Sequence, residues 1–138
     1  MVDKGAIETR PYFFFASLTS LLMRACRIYR EDKGGMIFME RTFEIGDVVV
    51  TANVFDAMEE IEEFRIFVSG CLSRYILYDW GDTCDEDWKL NDDSVKNGER
   101  VLAVYDIPKG IDGLIDDKLW IITEWDRSVT TILFPFDY

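Results

Sequence analysis

Residues 118–136 read KLWIITEWDRSVTTILFPF, and this stretch decides the fold that we expect. Its two halves, 118–126 and 129–136, are rich in β-branched and aromatic residues, which favour strands. A tight turn at Arg127 and Ser128 separates them. Two such runs joined by a short polar turn are typical of an antiparallel β-hairpin.

Two further strands and two helices are predicted before this hairpin. In the helices apolar residues recur every three or four positions, with polar and acidic residues on the other side, which is the amphipathic pattern. Capping residues mark where they begin, and an Asn-Gly pair marks where the second one ends. The predicted order is a strand at 42–51, a long helix beginning at Asn53, a helix from the Thr83–Glu86 capping box to Asn97-Gly98, and a strand at 100–106.

The resulting order, β-α-α-β-β-β, predicts an α+β fold. We expect a three- to four-stranded antiparallel sheet with the two helices on one face. An N-terminal amphipathic helix is expected before this single domain, which would occupy residues 39–138.

Composition narrows the functions that are open to the chain. It has 138 residues, with 15 Lys and Arg, 27 Asp and Glu, and no histidine, so its formal net charge is −12. Nucleic-acid binders carry basic surfaces, so this acid excess disfavours direct contact with a phosphate backbone. Without histidine the chain lacks the residue that Ser-His-Asp and Cys-His catalysis and histidine-ligated metals require.

The charge is divided unevenly along the chain. Residues 1–38 hold six basic and four acidic residues, a net +2, and residues 39–138 hold nine basic and 23 acidic residues, a net −14. Such a shift suggests a boundary near Gly34-Gly35. Residues 1–38 would then be a basic extension, or a translated leader before a native start at Met39.

The extension contains an apolar stretch that fits a helix. At 100° per residue one face is apolar and Arg24, Arg27 and Arg30 lie opposite. We expect this helix to dock on the acidic domain or to form a homodimer contact, rather than to bind a membrane. The apolar face consists of Phe14, Phe15, Leu18, Leu21, Leu22, Ala25, Ile28 and Tyr29.

The three cysteines, Cys26, Cys71 and Cys84, are odd in number and contain no C-x-x-C pair. This spacing disfavours a disulfide scaffold or a zinc ribbon and predicts buried free thiols in a reducing cytoplasm. Cys84 is expected on the buried stripe of its helix with Trp88 and Val95.

Two groups of exposed acids are predicted as binding ridges. Five acids between positions 85 and 93 give about one charge per 2.7 Å of helix, at about 1.5 Å rise per residue. Each strand of duplex DNA carries about one charge per 3.4 Å, so the density is sufficient to imitate DNA. The ridge residues are Glu59, Glu60, Glu62 and Glu63 in one group and Asp85, Glu86, Asp92 and Asp93 in the other.

Some carboxylates are also weak candidates for metal binding or for acid–base catalysis. Asp79 and Asp82 have the oxygen ligands that Mg²⁺ or Ca²⁺ prefers, although their spacing is not that of an EF-hand. Glu124 and Asp126 beside Arg127 would need pKa values shifted by burial to act as an acid–base pair. Ordinary helix-end and turn roles explain the same residues, so we predict no catalytic residues, no metal and no cofactor.

Tryptophans are divided between core and surface in this interpretation. Trp80 and Trp88 are expected in the core. Trp120 and Trp125 are separated by an odd number of positions and should lie on opposite sides of their strand. One of them is therefore expected at the surface, where it would serve a partner.

Several of these motifs together resemble one small protein family. That family occurs in phages, plasmids and integrated elements of Firmicutes, and its members are often labelled "plasmid-related protein" or "type I restriction enzyme subunit M". The likeness covers about residues 39–138, and Tyr75 stands where family members usually have histidine. The matching residues are Asp79, Trp80, Gly81, Asp82, Asn91, Trp120, Thr123, Glu124, Asp126, Arg127 and Ser128.

The resemblance implies a mobile-element accessory protein. No methyltransferase signature is present, so the second label does not describe an activity of this chain. The expected function is a non-enzymatic binder of a basic, nucleic-acid-handling host defence protein, of anti-CRISPR or anti-restriction type. Imitation of DNA is one way in which it would bind. The alternatives are a carboxylate- or metal-dependent hydrolase or nucleotide-processing enzyme using Asp79, Asp82, Glu124 and Asp126, and a self-associating regulator.

Overall fold

A computed structural model of the protein describes residues 29–31, 37–39 and 43–138. Six strands and three α-helices lie in these ranges, and a short 3-10 turn, Pro135–Asp137, follows the last strand. The strands are β1 (Tyr29–Glu31), β2 (Ile37–Met39), β3 (Asp47–Val50), β4 (Val101–Asp106), β5 (Lys118–Thr123) and β6 (Val129–Leu133). The helices are α1 (Ala52–Glu60), α2 (Glu62–Tyr75) and α3 (Asp85–Asn97).

Four of the strands form one sheet in the order β3-β6-β5-β4. The β5–β6 hairpin is antiparallel, as predicted, and β4 pairs antiparallel with β5. β3 instead pairs parallel with β6, Asp47 opposite Val129. The α+β class is thus confirmed, but the sheet is mixed rather than antiparallel. β3 is followed by α1 instead of a hairpin, and its neighbour in the sheet is β6, which comes much later in the chain and runs in the same direction.

The helices pack on one face of this sheet, which we call the helix face. Register partners share a face, so Val101, Ala103 and Tyr105 of β4 lie with Leu119 and Ile121 of β5. All five are fully buried and belong to the core cluster. The core therefore lies between the sheet and the helices, as expected for a layered α+β domain.

The long helix predicted from Asn53 is two helices. Ile61 interrupts it with φ −124° and ψ 102°, an extended conformation that lets the chain change direction. The interruption is half-buried and lies against the loop at Gly113. Asn53 is not the cap either: Thr51 precedes the helix, and the Asn53 amide donates to Asp137 Oδ1 at 2.6 Å.

The helix predicted from Thr83 begins two residues later, at Asp85. Its end is as expected, because Gly98 adopts a left-handed φ of 71° after Asn97. The predicted capping box is wrong, since the Thr83 hydroxyl donates to the Trp80 carbonyl oxygen at 2.5 Å. Cys84 occupies the cap position and is exposed, which corrects its predicted place on the buried stripe.

Most of the predicted N-terminal helix lies outside the described residues. Tyr29 and Arg30, its expected last turn, lie in β1, which forms an antiparallel ladder with β2. The domain boundary near Met39 and the translated leader stay predictions. Among the helices that the structure describes, none combines the length and the apolar composition needed to cross a bilayer.

Candidate functional site

The W-G-D segment, residues 79–83, covers the outer edge of β4. Asp82 donates its backbone N–H to the Val104 carbonyl oxygen at 2.7 Å, and the Thr83 hydroxyl oxygen accepts from Val104 N–H at 2.9 Å. Asp82 Oδ2 accepts the backbone N–H of Asp106 at 2.8 Å. Asp82, a weak metal candidate from the sequence, is therefore engaged in completing a sheet edge.

Asn91 of α3 continues the same edge. Its side-chain Nδ2 donates to the Leu102 carbonyl oxygen at 2.7 Å, and its Oδ1 accepts Leu102 N–H at 3.2 Å. Asn91 is only 4% exposed, so water does not replace these bonds easily. Asp82 and Asn91 thus share one structural role at the outer edge of β4.

Trp80 joins the same region to the core. It is fully buried, as predicted, and its ring meets Tyr75 edge-on at a centroid distance of 5.3 Å. The indole Nε1–H donates to Asp92 Oδ1 at 2.9 Å. Asp92 is therefore half-buried and bound to the core tryptophan, which corrects its place in the exposed ridge; Trp88 is half-buried as well.

Asp79 forms a two-point ion pair with Arg74. The guanidinium Nε and Nη2 lie 2.9 and 3.2 Å from the two carboxylate oxygens. Gly81 adds a backbone N–H to Asp79 Oδ1 at 3.0 Å. These hydrogen bonds, that from Arg74 above all, hold the pKa of Asp79 below its usual value.

We expect Arg74→Gln to raise the pKa of Asp79 towards its usual value, which NMR titration of the carboxyl carbon would follow. A carboxyl with a lowered folded pKa stabilises the protein above its unfolded pKa and loses that effect as the pH falls. The pair is about half exposed, so it is worth about 0–1 kcal/mol at neutral pH. Urea unfolding should show the difference from wild type shrinking below about pH 4.

The matched control for that variant is Arg65→Gln, which removes a single 3.4 Å contact with the exposed Glu62. We expect it to leave the Asp79 titration unchanged. An unchanged pKa of Asp79 in Arg74→Gln would contradict the assignment of the shift to this ion pair.

The turn after β5 is held by Arg127 and Asp126. Arg127 has a positive φ of 60° and donates to the carbonyl oxygens of Ser94 at 2.9 Å and Glu99 at 2.7 Å. It thus binds the carboxyl end of α3 through backbone oxygens, where a cation is favourable. Asp126 Oδ1 accepts Ser128 N–H and Oγ–H, and these bonds lower the pKa of Asp126.

A buried chain of hydroxyls lies beneath this turn. Tyr75 OH and Thr123 Oγ1 share a hydrogen bond of 2.7 Å, and Thr123 shares another of 2.7 Å with Thr130. Thr130 also lies 2.6 Å from the Ile45 carbonyl oxygen. Burial raises the pKa of Tyr75, so it stays a neutral phenol that links α2 to the sheet.

The four carboxylates of the predicted enzyme do not lie together. Asp82 contacts the Asp106 end of β4, whereas Glu124 follows Thr123, the partner of Val101 at the other end. At about 3.3 Å per residue these ends are about 17 Å apart. Nor does the described part of the chain contain any cluster of three or more His, Cys, Asp or Glu residues placed to hold a metal ion.

Exposed acids lie where α1 meets α2, and we call Glu59, Glu60, Glu62 and Glu63 the junction ridge. All four are exposed. Glu62 and Glu63 occupy the first turn of α2, where carboxylates offset the helix dipole. Glu59 and Glu60 end α1, whose last turn has no basic residue, so the same dipole disfavours them. Helix stability therefore explains one half of the ridge but not the other.

A second acidic surface covers the start of α3. Its first turn carries Asp85, Glu86 and Asp87, all exposed, and Asp93 is exposed further along. We call these four the α3 ridge. Here the helix-dipole role explains the first turn, as the sequence suggested.

Each ridge is accompanied by an exposed aliphatic side chain that the sequence did not single out, Ile66 after the junction ridge and Leu90 within the α3 ridge. Ile66 is 64% exposed and Leu90 is 57% exposed. Residues 62–66 and 86–90 share one order of types: two acids, an aromatic, a base and an aliphatic. Because the aromatic faces the core and positions two apart lie about 200° apart on a helix, the aliphatic faces outward. Trp125 is 67% exposed, which confirms the predicted surface tryptophan.

The two described cysteines differ in reactivity. Burial raises the pKa of the Cys71 thiol to about 12, whereas Cys84 is exposed at the start of α3. Since the thiolate is the reactive species, iodoacetamide should alkylate Cys84 at least about tenfold faster than Cys71 in the folded protein. Peptide mass spectrometry would measure both rates, and equal rates for the two thiols in the folded protein would contradict the burial of Cys71.

Comparison of the chain with protein-family models, with curated proteins and with solved structures found no match.

Proposed function

We propose that this protein is a non-enzymatic acidic binder, made by a mobile genetic element, that acts in the cytoplasm. Its target would be a basic, nucleic-acid-handling defence protein of the host. It would occupy the groove that normally holds DNA or RNA, in the manner of an anti-restriction or anti-CRISPR protein. The mobile-element origin rests on the resemblance of two motifs, W-G-D at residues 80–82 and W-I-I-T-E-x-D-R-S at residues 120–128. The binding mode rests on the acidic surface.

The observation that carries the proposal is the surplus of surface carboxylates. Residues 43–138 contain 22 acidic and eight basic residues. Four of the bases form the four salt bridges of this region, and Arg127 is bound to carbonyl oxygens. The remaining acids therefore greatly outnumber the remaining bases, Lys89, Lys96 and Lys109. Such a field attracts a cationic groove and accelerates association.

The placement of Glu59 and Glu60 supports a role in binding. Acids at the end of a helix cost about 0.3–1 kcal/mol when they oppose the helix dipole. Groups that disfavour folding while lying fully at the surface are typical of functional positions. Ile66 and Leu90 would supply apolar contact within each ridge, since interfaces combine a desolvated apolar centre with a charged rim.

The test uses cells that carry either a restriction enzyme or a CRISPR nuclease, transformed with a plasmid that the nuclease cleaves. Co-expression of the protein should raise the transformation efficiency with one of the two nuclease types. Neutralising the junction ridge, with Glu59→Gln, Glu60→Gln, Glu62→Gln and Glu63→Gln, should reduce this protection by about 10-fold or more, since rim charges govern encounter. The binding measured with the purified nuclease should weaken steeply with salt.

The matched control removes four negative charges elsewhere, with Glu44→Gln, Asp47→Asn, Glu99→Gln and Asp117→Asn. These residues are all exposed and belong to neither ridge. This variant should protect nearly as well as wild type. Equal loss in both variants would indicate net charge alone, and the absence of protection against every nuclease, or binding indifferent to salt, would contradict the proposal.

Glu59→Gln with Glu60→Gln, made without the other two substitutions and tested for protection in the same way, provides a check on folding. The fourfold variant does not, since Glu62→Gln and Glu63→Gln also remove favourable dipole interactions. We expect Glu59→Gln with Glu60→Gln to raise the free energy of unfolding by up to about 1 kcal/mol, because two unfavourable dipole interactions disappear. Urea unfolding measures this directly. A variant that is more stable and yet loses protection separates binding from folding, whereas a loss of stability would contradict the dipole argument.

A further inference from the structure

The sheet has a second face, opposite the helix face, that is also apolar. Register pairing places Leu102 and Val104 of β4 beside Ile122 and Trp120 of β5, and Trp120 beside Leu133 of β6. Sheets with one face in water alternate apolar with polar residues along each strand. These strands are instead apolar on both sides, which is typical of a sheet that is covered on both faces.

Residues of the second face are buried even where none of the described helices or turns has been placed over them. The Tyr138 ring packs against Trp120 at a centroid distance of 5.7 Å, so the C-terminal turn covers this end of the face. Ile122 lies two residues further along, about 7 Å away. It is nevertheless fully buried, and so is Leu133. The three helices pack on the other face, so the middle of the second face requires a further cover.

Trp120 supplies an independent indication. Its indole Nε1 is buried and has no acceptor among the described residues. Buried tryptophan N–H groups normally find a hydrogen-bond partner. A side-chain hydroxyl, or one of the free carbonyl oxygens at the end of a helix lying on this face, would supply the missing acceptor.

The N-terminal extension has the length and the position to be this cover. In the β1–β2 ladder Tyr29 is opposite Met39, so the start of β1 lies within about 5.5 Å of Met39. Four more residues lead to Phe43, at most about 14 Å away. Chain geometry therefore keeps the residue before Tyr29 within about 23 Å of Phe43. A helix made by residues 12–28 would be about 25 Å long, enough to cross four strands spaced by about 4.8 Å.

We propose that residues 12–28 pack through their apolar face on the second face of the sheet of the same chain. Phe14, Leu18 and Leu22 would contact the side chains around Ile122. Arg24 and Arg27 would then face outward, beside a domain whose residues 39–138 carry a net −14. Apolar contact determines which side of the segment faces the sheet. Attraction between its arginines and the acidic domain favours the docked segment over one that extends into solvent.

The test places the photo-crosslinker p-benzoylphenylalanine in the full-length protein at Val104, which is half-buried on the second face. Irradiation followed by trypsin digestion should join the Val104 peptide to residues 5–24, in a product with the mass of one chain. The same crosslinker at the exposed Ile66 of α2 serves as the control and should give no such product.

Two double variants test which side of the predicted helix faces the sheet. Leu18→Asp with Leu22→Asp should reduce the crosslink at Val104 by at least about fivefold, whereas Ala16→Asp with Ser20→Asp, on the opposite side of the predicted helix, should retain it. Crosslinks found only in products of twice the chain mass would assign the face to a second copy and overturn the proposal. Failure to crosslink residues 1–30 would overturn it as well.

Discussion

Replacing Gly81 by alanine is expected to cost the domain at least about 3 kcal/mol, a large fraction of the stability of about 5–15 kcal/mol that is typical of a folded domain. Gly81 has a φ of +68°, which disfavours any residue with a Cβ. That Cβ would overlap the Tyr105 ring and come within 2.5 Å of the Val104 carbonyl oxygen. The strand edge cannot move away without losing its bonds to Asp82 and Thr83.

Gly98→Ala is the matched control for that variant. Gly98 has nearly the same φ, +71°, but a Cβ there would meet open space. Its cost should be about 1 kcal/mol, the backbone contribution alone. Chemical unfolding of both variants measures the difference, and equal costs would show that the Gly81 loop relaxes and that the close approach to β4 is not needed.

Asn91→Leu is expected to cost about 2–4 kcal/mol, because it leaves the N–H and the carbonyl oxygen of Leu102 without their partner. Leucine has the same number of side-chain heavy atoms, but its methyl groups are bulkier than the amide group, so overpacking at this buried position adds to the cost. The variant should also aggregate more readily, since the outer edge of β4 becomes available to another strand. Equilibrium urea unfolding and light scattering at rising protein concentration measure the two effects.

Asn91→Asp separates the donor from the acceptor. The introduced carboxylate still accepts Leu102 N–H but faces the Leu102 carbonyl oxygen, which raises its folded pKa. The loss of stability should therefore be largest above about pH 6 and become smaller as the pH falls, since the protonated form donates again. Asn97→Ala, at the exposed end of α3, is the control, and a cost below about 0.5 kcal/mol for Asn91→Leu would refute the role of the edge.

The strands and the end of α3 could be predicted because their signals are local. The β5–β6 hairpin follows from two β-rich runs and a polar turn, and Gly98 ends α3 because glycine tolerates a positive φ. The parallel position of β3 could not be predicted in this way. It depends on which strand lies beside β6 in space, and no pattern within residues 42–51 reports that.

The wrong predictions for Thr83 and Asp92 also result from contacts between residues that are distant in the sequence. Thr83 resembles a helix cap in the sequence, yet its hydroxyl is bound to Trp80 and Val104, which are neighbours only in the folded sheet. Asp92 looks like a solvent-facing acid, yet it accepts the indole N–H of Trp80. In both cases a tertiary partner competes with the local role that the residue type suggests.

The junction ridge shows how far the sequence predicts the candidate binding surface. Helical periodicity predicts that Glu59, Glu60, Glu62 and Glu63 are exposed, and the structure places all four at the surface. It does not predict the break at Ile61, because isoleucine is an ordinary helix residue and the break depends on the loop at Gly113. It is this break that puts Glu59 and Glu60 at a helix end, where their cost to stability becomes informative.

The parallel pairing of β3 with β6 has a consequence for how the chain folds during synthesis. Thr130 is bonded to the Ile45 carbonyl oxygen, 85 positions earlier, so β3 has no place in the sheet until the last strand exists. The helices and the β4–β5 pair can form on the ribosome before β6 has been synthesised. Completion of the sheet then requires slow, non-local loop closure. A ribosome stalled before β6 has left the exit tunnel should therefore hold a chain that proteases still cleave near β3, and emergence of β6 should confer protection.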